Sequence, residues 1–295
     1  MTLIEHIYEF RRRLGWGVLI IVLGGIFGFI WFGTHLGPIP SLGDLMNRPY
    51  CDLPTTVRLE FNGGGCRLLQ TEPFEGAMIR LQVGVAAGAV LFAPLWLYQL
   101  WAFIAPGLYS KERKYAMTFV GFASVLFAAG AVLAYVIVPA ALKVLVGFGG
   151  PNFVTALAGD KYISFILSLL LIFGVSFELP LLVVMLNRVG VVRYQQLKKW
   201  RRGIVFALFV FAAFATPGTD PFSMLGLALA LTVLFEIAIQ LARVHDRKKD
   251  KLRQATGWDH LSPDEAAPFD YTPSSIDDEP STSTTGGRSN TDDIT

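Results

Sequence analysis

Three carboxylates in this chain of 295 residues stand in places that call for explanation. Glu9 lies in 6-HIYEFRRRL-14, directly ahead of a run of arginines. Glu112 lies in 110-SKERKY-115, among Lys111, Arg113 and Lys114. Glu178 falls near the middle of 165-FILSLLLIFGVSFELPLLVVML-186, a run apolar enough to cross a bilayer, with Pro180 close behind it. A carboxylate at the centre of a membrane helix costs about 2.5–3.5 kcal/mol on insertion scales. Pro180 also lacks an amide donor and leaves a carbonyl one turn earlier without its helical partner. A segment that only spans the membrane needs neither feature. The plainer reading of Glu9 is an i,i+4 ion pair with Arg13, the arginines anchoring to lipid headgroups.

Other chemistry is missing from the sequence. It has no nucleophile–base pair, no phosphate loop, no HExxH and no cluster of carboxylates within the membrane. His6, His35, His245 and His260 are isolated and outside the apolar runs. An enzyme is the least favoured class, and neither a cofactor nor a metal is expected. Cys51 and Cys66 share one loop. Outside the cytoplasm they are permitted a disulfide, closing a loop of about 15 residues for ~3 kcal/mol. Two free thiols are the alternative.

The elements that must carry these residues are membrane spans. The chain is 53% hydrophobic and 16% charged, with a mean hydropathy of +0.49, whereas soluble domains sit near 25% charged. Six runs qualify as spans, roughly 14–34, 78–100, 116–139, 162–187, 203–216 and 222–241. The expected fold is therefore an all-α polytopic membrane protein. The fifth run covers only about 21 Å of a hydrocarbon core of ~30 Å, so the last two spans predict a shallow, thinned region. Eighteen lysines and arginines fall on the side of the N-terminus and six on the other. That asymmetry places both termini in the cytoplasm, as an even number of spans requires.

Three domains follow. Residues 1–13 are expected to form a cytoplasmic amphipathic helix, with Thr2 and Glu5 as a capping box and Leu3, Ile7, Phe10 and Leu14 on one face. Residues 14–245 make the membrane domain, with an outer loop at 35–77. Residues 246–295 read as a disordered acidic tail, with nine acidic residues against Arg288 alone from Asp259 onward. Trp96, Tyr98, Trp101 and Tyr109 suggest an interfacial aromatic belt, and Pro106-Gly107 is expected to break the helix. In 216-TPGTDPFS-223 the prolines force a tight turn, and Asp220 is placed to cap the sixth span.

Taken together, 6-HIYEFRRRL-14, 98-YQLWAFIAPGLYSKER-113, 173-FGVSFELP-180 and 216-TPGTDPFS-223 resemble the TatC family, the multispanning receptor subunits of the twin-arginine protein translocase. The first matches the family's His-Leu-x-Glu-Leu-Arg-x-Arg-Leu, with Ile7 and Phe10 in place of leucines. The resemblance covers about residues 2–245, and actinobacterial members look especially close. It implies a concave, glove-like bundle with short fifth and sixth spans in the bacterial plasma membrane. It implies binding of Arg-Arg signal peptides of folded cargo, recruitment of the single-span partners TatA and TatB, and self-association in a larger complex. No nucleic acid is implied.

Carried over by residue, Glu9 and Glu112 meet the signal's arginines, while Arg11, Leu14, Phe103 and Arg113 shape the site. A guanidinium is met best by a bidentate carboxylate, a geometry that lysine does not reproduce. Glu178 is the buried contact for a partner helix, assisted by Thr216 and by Met224, which stands where some members have glutamine. Pro94, Pro106, Pro180 and Asp220 are structural. The rival reading is a proton-coupled secondary transporter using Glu178, which predicts a second titratable group deep in the membrane. Glu236 is the other acidic residue well inside a span. A scaffold of lipid-anchored helices would leave Glu9 and Glu112 unexplained.

Overall fold

The computed structural model describes residues 3–35, 37–53, 66, 68–104, 113–147, 157–217 and 220–255. Its elements are eight helices: α1 (Leu3–Trp31), α2 (Leu42–Cys51), α3 (Glu75–Leu91), α4 (Ala93–Ile104), α5 (Arg113–Gly147), α6 (Gly159–Val189), α7 (Tyr194–Ala215) and α8 (Pro221–Ala255). The chain divides into two units, residues 1–248 and 249–295. Of the second, only the final turns of α8 are described.

The amphipathic segment at the N-terminus is not a separate helix. α1 runs unbroken through it into the first apolar run, with no proline between Leu3 and Trp31 to stop it. Thr2 of the expected capping box lies outside the described residues. α1 packs closely on α3 because glycines face each other across the seam. A Cβ on Gly28 would come 2.5 Å from the Gly84 carbonyl oxygen, and one on Gly88 would come 2.4 Å from the Gly24 carbonyl carbon. Both helices carry Gly-x-x-x-Gly, Gly24 to Gly28 and Gly84 to Gly88, the pattern that lets membrane helix backbones touch.

The second expected span is two helices. α3 and α4 meet at a bend of 65°. Pro94 cannot donate to the Val90 carbonyl, and its ring disfavours helical backbone at the residue before it. The end of α3 is closed by a side chain, the Trp96 indole donating to the Ala89 carbonyl at 2.8 Å. The third span was expected to end at Pro139, but α5 continues to Gly147. Val138 and Leu142, on either side of the proline, are buried in the main core, and Ala141 is buried as well. That packing holds the helix together where one hydrogen bond is missing.

Four helices (α1, α5, α6 and α8) are each long and apolar enough to cross a membrane, and the α3–α4 pair makes a fifth. α7 has 22 residues, but its first half is polar and basic, and the apolar part from Gly203 extends only about 20 Å. α6 stops at Gly190, which takes a left-handed φ of 88°, a conformation glycine adopts without penalty. α8 runs past the expected tail boundary at residue 246. Asp246 accepts from the Asn187 side chain at 3.1 Å and from the Tyr194 amide at 2.8 Å, and good helix formers follow it to Ala255. Residues 256–295 lie outside the described residues.

The 35–77 segment is anchored through α2. The Tyr135 hydroxyl donates to the Leu45 carbonyl at 2.7 Å, and Tyr162 donates to Met46 at 2.9 Å. Cys51 and Cys66 are joined by a disulfide with a Cα–Cα distance of 5.7 Å. Glu75 is buried and ties this segment to α6: one oxygen takes the Asp160 amide at 2.8 Å, the other the Glu72 amide at 3.1 Å. Asp220 caps α8, accepting from the Ser223 amide at 2.6 Å, with Pro221 at the first helical position.

Candidate functional site

Two faces of the short helix α4 organise the site. Trp96, Gln99, Leu100 and Phe103 recur at helical spacing on the side toward α1. With Phe10, Arg13 and Leu14, among others, they line an apolar groove of about 220 Å³. The Phe10 and Phe103 rings close one end, their centroids 4.8 Å apart. Beside it, Arg12, Arg13, Trp16 and Gln99 line a polar cleft. Glu9 stands at this edge. Arg13 donates to one of its oxygens through Nε at 2.9 Å and a terminal nitrogen at 2.7 Å.

The structure therefore brings Leu14 and Phe103 together in one groove, with Glu9 beside them through its pair with Arg13. Arg11 is exposed and stacks over Tyr8, 5.2 Å from the ring centroid, rather than lining the groove. Arg113 opens α5, but its side chain is outside the described residues. Pro106, Tyr109 and Glu112 lie outside them altogether.

The second face of α4 is Ala93, Leu97 and Trp101. It packs into a cluster with Val120, Ala123 and Phe127 of α5 and Leu181 and Met185 of α6. Trp101 is only 4% exposed, so it is a core residue and not part of a headgroup belt. Trp96 is likewise occupied at the α3–α4 bend. An indole is drawn to an interface by having one apolar and one polar end, and here the protein itself supplies the polar contact for Trp96.

Glu178 is on the same side of α6 as Leu181 and Met185. Both its carboxyl oxygens are buried without a hydrogen-bond partner among the described residues, and so is the Trp101 indole nitrogen. The two side chains interact, but not at hydrogen-bonding geometry. A buried polar atom left unpaired costs about 1–3 kcal/mol, so this spot is short of partners. Pro180, inside α6, leaves the Ser176 carbonyl without its helical donor. Glu236 is not a second unpaired acid: Arg201 of α7 meets it at 2.5 Å.

At the far end of α7, Thr216 is buried and donates to the Ala212 carbonyl in its own helix at 3.0 Å. Met224 is partly buried against the main core. Asp220 keeps one carboxyl oxygen unpaired among the described residues, as does the Ser223 hydroxyl. Sequence reasoning missed Trp101, Glu75, the Asn187–Asp246 contact and the glycine seam. Only the seam had a local signal, its two Gly-x-x-x-Gly repeats. The others depend on residues between 59 and 85 positions apart for Glu75 and Asn187, which no short window connects.

Residues 5–229 match the family model described as Sec-independent protein translocase protein (TatC). A protein of that description from Corynebacterium kroppenstedtii is 44% identical, over 94% of this chain and 69% of its own length. One from Aquifex aeolicus is 33% identical over 86% of this chain and all of its own. A crystal structure of a twin-arginine translocase receptor, TatC, superposes with a TM-score of 0.65 at 30% identity, covering 80% of this chain and 99% of that one. The chain belongs to the TatC family of Sec-independent protein translocase components, polytopic membrane proteins that are not enzymes.

Proposed function

We propose that this chain is the signal receptor of a twin-arginine translocase in the bacterial plasma membrane, with both termini cytoplasmic. It binds Arg-Arg signal peptides of folded cargo and recruits the single-span subunits TatA and TatB. One observation carries the reading: the two segments resembling the family's recognition motifs, on α1 and α4, converge on a single apolar groove with a carboxylate at its edge. The paired arginines engage Glu9 and Glu112, and the apolar residues that follow them lie along Leu14, Leu100 and Phe103. The Glu9–Arg13 contact is no obstacle. An i,i+4 pair is worth only about 0.2–0.5 kcal/mol, so an incoming guanidinium exchanges for Arg13 at little cost. Glu178 then serves as the docking carboxyl for a partner helix, with Thr216 and Met224 nearer the thin end.

Glu9→Ala and Glu112→Ala are expected to stop export of a reporter carrying an Arg-Arg signal, with protein level and general secretion unchanged. Normal export in both single variants and in the double variant would refute the assignment.

A further inference from the structure

We propose that the protein holds one anionic phospholipid where α1, α4 and α5 meet, its phosphate on Arg12 and Arg13 and an acyl chain in the groove behind them. The site lies along a third face of α4, separate from the Phe103 side and the Trp101 side.

The two parts that such a molecule needs are adjacent. The apolar part is a groove of about 830 Å³, walled by Ile20 of α1, Leu95 and Tyr98 of α4, and Met117, Val120 and Gly121 of α5. The polar part is the cleft of about 260 Å³ lined by Arg12, Arg13, Trp16 and Gln99. They join at Gln99, which lines both. Along α1 the side chains are ordered as a lipid is. Arg12, Trp16 and Ile20 follow one another at turn spacing on one stripe, and Ile20 lies about 12 Å further along the helix than Arg12. A cation, an amphipathic indole and an aliphatic side chain thus succeed one another from headgroup level into the hydrocarbon.

Charge decides the occupant. Arg12 is exposed and makes no ion pair among the described residues. Arg13 gives Nε and one terminal nitrogen to Glu9, and its other terminal nitrogen can still donate. Glu9 offsets one arginine, so the cleft keeps a net positive charge. A guanidinium meets a phosphate through paired, parallel N–H bonds. The Arg-Arg segment of a signal, by contrast, is repelled by the same cations. The acyl chain selects nothing by itself, because bilayer tails are as apolar as the groove. Selectivity therefore lies in the headgroup, at about fivefold per arginine for an anionic lipid. A choline headgroup brings a cation of its own to the arginines and forfeits that gain.

The test uses the full-length protein in phosphatidylcholine nanodiscs with a trace of a lipid photo-reactive in its acyl chain. The headgroup of that lipid is either phosphatidylglycerol or phosphatidylcholine, and labelled positions are mapped by mass spectrometry. Val132, 62% exposed on α5, reports ordinary bilayer contact. Relative to Val132, the glycerol lipid is expected to label Leu95 and Met117 at least about fivefold more than the choline lipid. Arg12→Gln is expected to remove most of that preference. Gly121→Leu is expected to lose groove labelling by both lipids, since a Cβ there meets nothing within 4 Å and the longer side chain fills the groove. Equal labelling by the two lipids in the parent overturns the proposal, as does a preference that survives Arg12→Gln undiminished. Excess inorganic phosphate at constant ionic strength should leave the preference intact; its loss would make the ligand a free anion and overturn the lipid assignment. A photo-reactive signal peptide that labels Leu95 and Met117 would make this a peptide groove and overturn it equally.

Discussion

Replacing Gly88 by alanine tests the α1–α3 seam, and the sign of the effect is the informative part. In most helices Gly→Ala is stabilising, because alanine has the better propensity by about 0.8–1.0 kcal/mol. At Gly88 the new Cβ lies 2.4 Å from the Gly24 carbonyl carbon and 2.5 Å from the Gly25 amide nitrogen, where ordinary contact begins at 3.4 Å. The obstructing atoms are backbone, which no rotamer change relieves. The helices must part by about 1 Å, and overpacking of this kind costs about 1–3 kcal/mol. Gly15 and Gly121 have nothing within 4 Å of a built Cβ, so alanine there shows the propensity term alone. We expect Gly88→Ala and Gly28→Ala to lower the thermal midpoint of the purified protein in detergent, and Gly15→Ala and Gly121→Ala to leave it unchanged or raise it. If Gly88→Ala is as stable as the parent, the backbones do not approach as described and the seam argument is refuted.

Two further predictions concern the 35–77 segment. Cys51 and Cys66 should resist alkylation in native membranes until a reductant is added, and Cys51→Ser should loosen α2 by up to ~3 kcal/mol, the loop-closure value; free labelling of both thiols counts against the bridge. The Asp44 carboxyl is held below its ordinary range, chiefly by the Ser41 hydroxyl at 2.7 Å, with burial opposing and His35 and Arg48 adding. A depressed carboxyl stabilises above its unfolded value, near 3.8, and that contribution is lost as pH falls through the lower folded value. Hydrogen exchange over 42–51 should therefore quicken below that pH in the parent and respond less in Asp44→Asn; identical acid responses would contradict a stabilising role for the Ser41–Asp44 contact at the start of α2.

The sequence disclosed the spans better than their ends. Hydropathy located the apolar runs that fold as α1, the α3–α4 pair, α5, α6 and α8, because a bilayer leaves few alternatives to long apolar helices. It could not show that 78–100 bends, since Pro94 near a boundary can either start a helix or break one, and the Trp96 indole decides which. Nor could it show that α5 outlasts Pro139, which depends on burial of Val138 and Leu142. The tail boundary was misplaced for a related reason: charge ends a span but not a helix, and Asp246 fastens the continuation to Asn187 and the start of α7. For the site, motif spacing picked out Glu9, Leu14, Phe103 and Glu178 individually. That Leu14 and Phe103 share a groove, and that Trp101 faces Glu178, are facts of tertiary packing. Aromatic residues in a loop-flanking position looked interfacial, yet Trp101 turned inward because the opposite stripe of α4 was already committed to α1.

The central claim, a receptor whose signal site is the α1–α4 groove, is tested most directly by photo-crosslinking from the peptide side. A signal peptide with a photo-reactive residue just after its arginine pair is added to membranes containing the translocase, and the labelled positions are mapped by mass spectrometry. The account predicts labels on Leu14 and Phe103 that vanish when the two arginines are replaced by lysines, since lysine cannot reproduce the forked contact with a carboxylate. Equal labelling by the Lys-Lys peptide, or labels confined to α7 and α8 with none on α1 or α4, would contradict it.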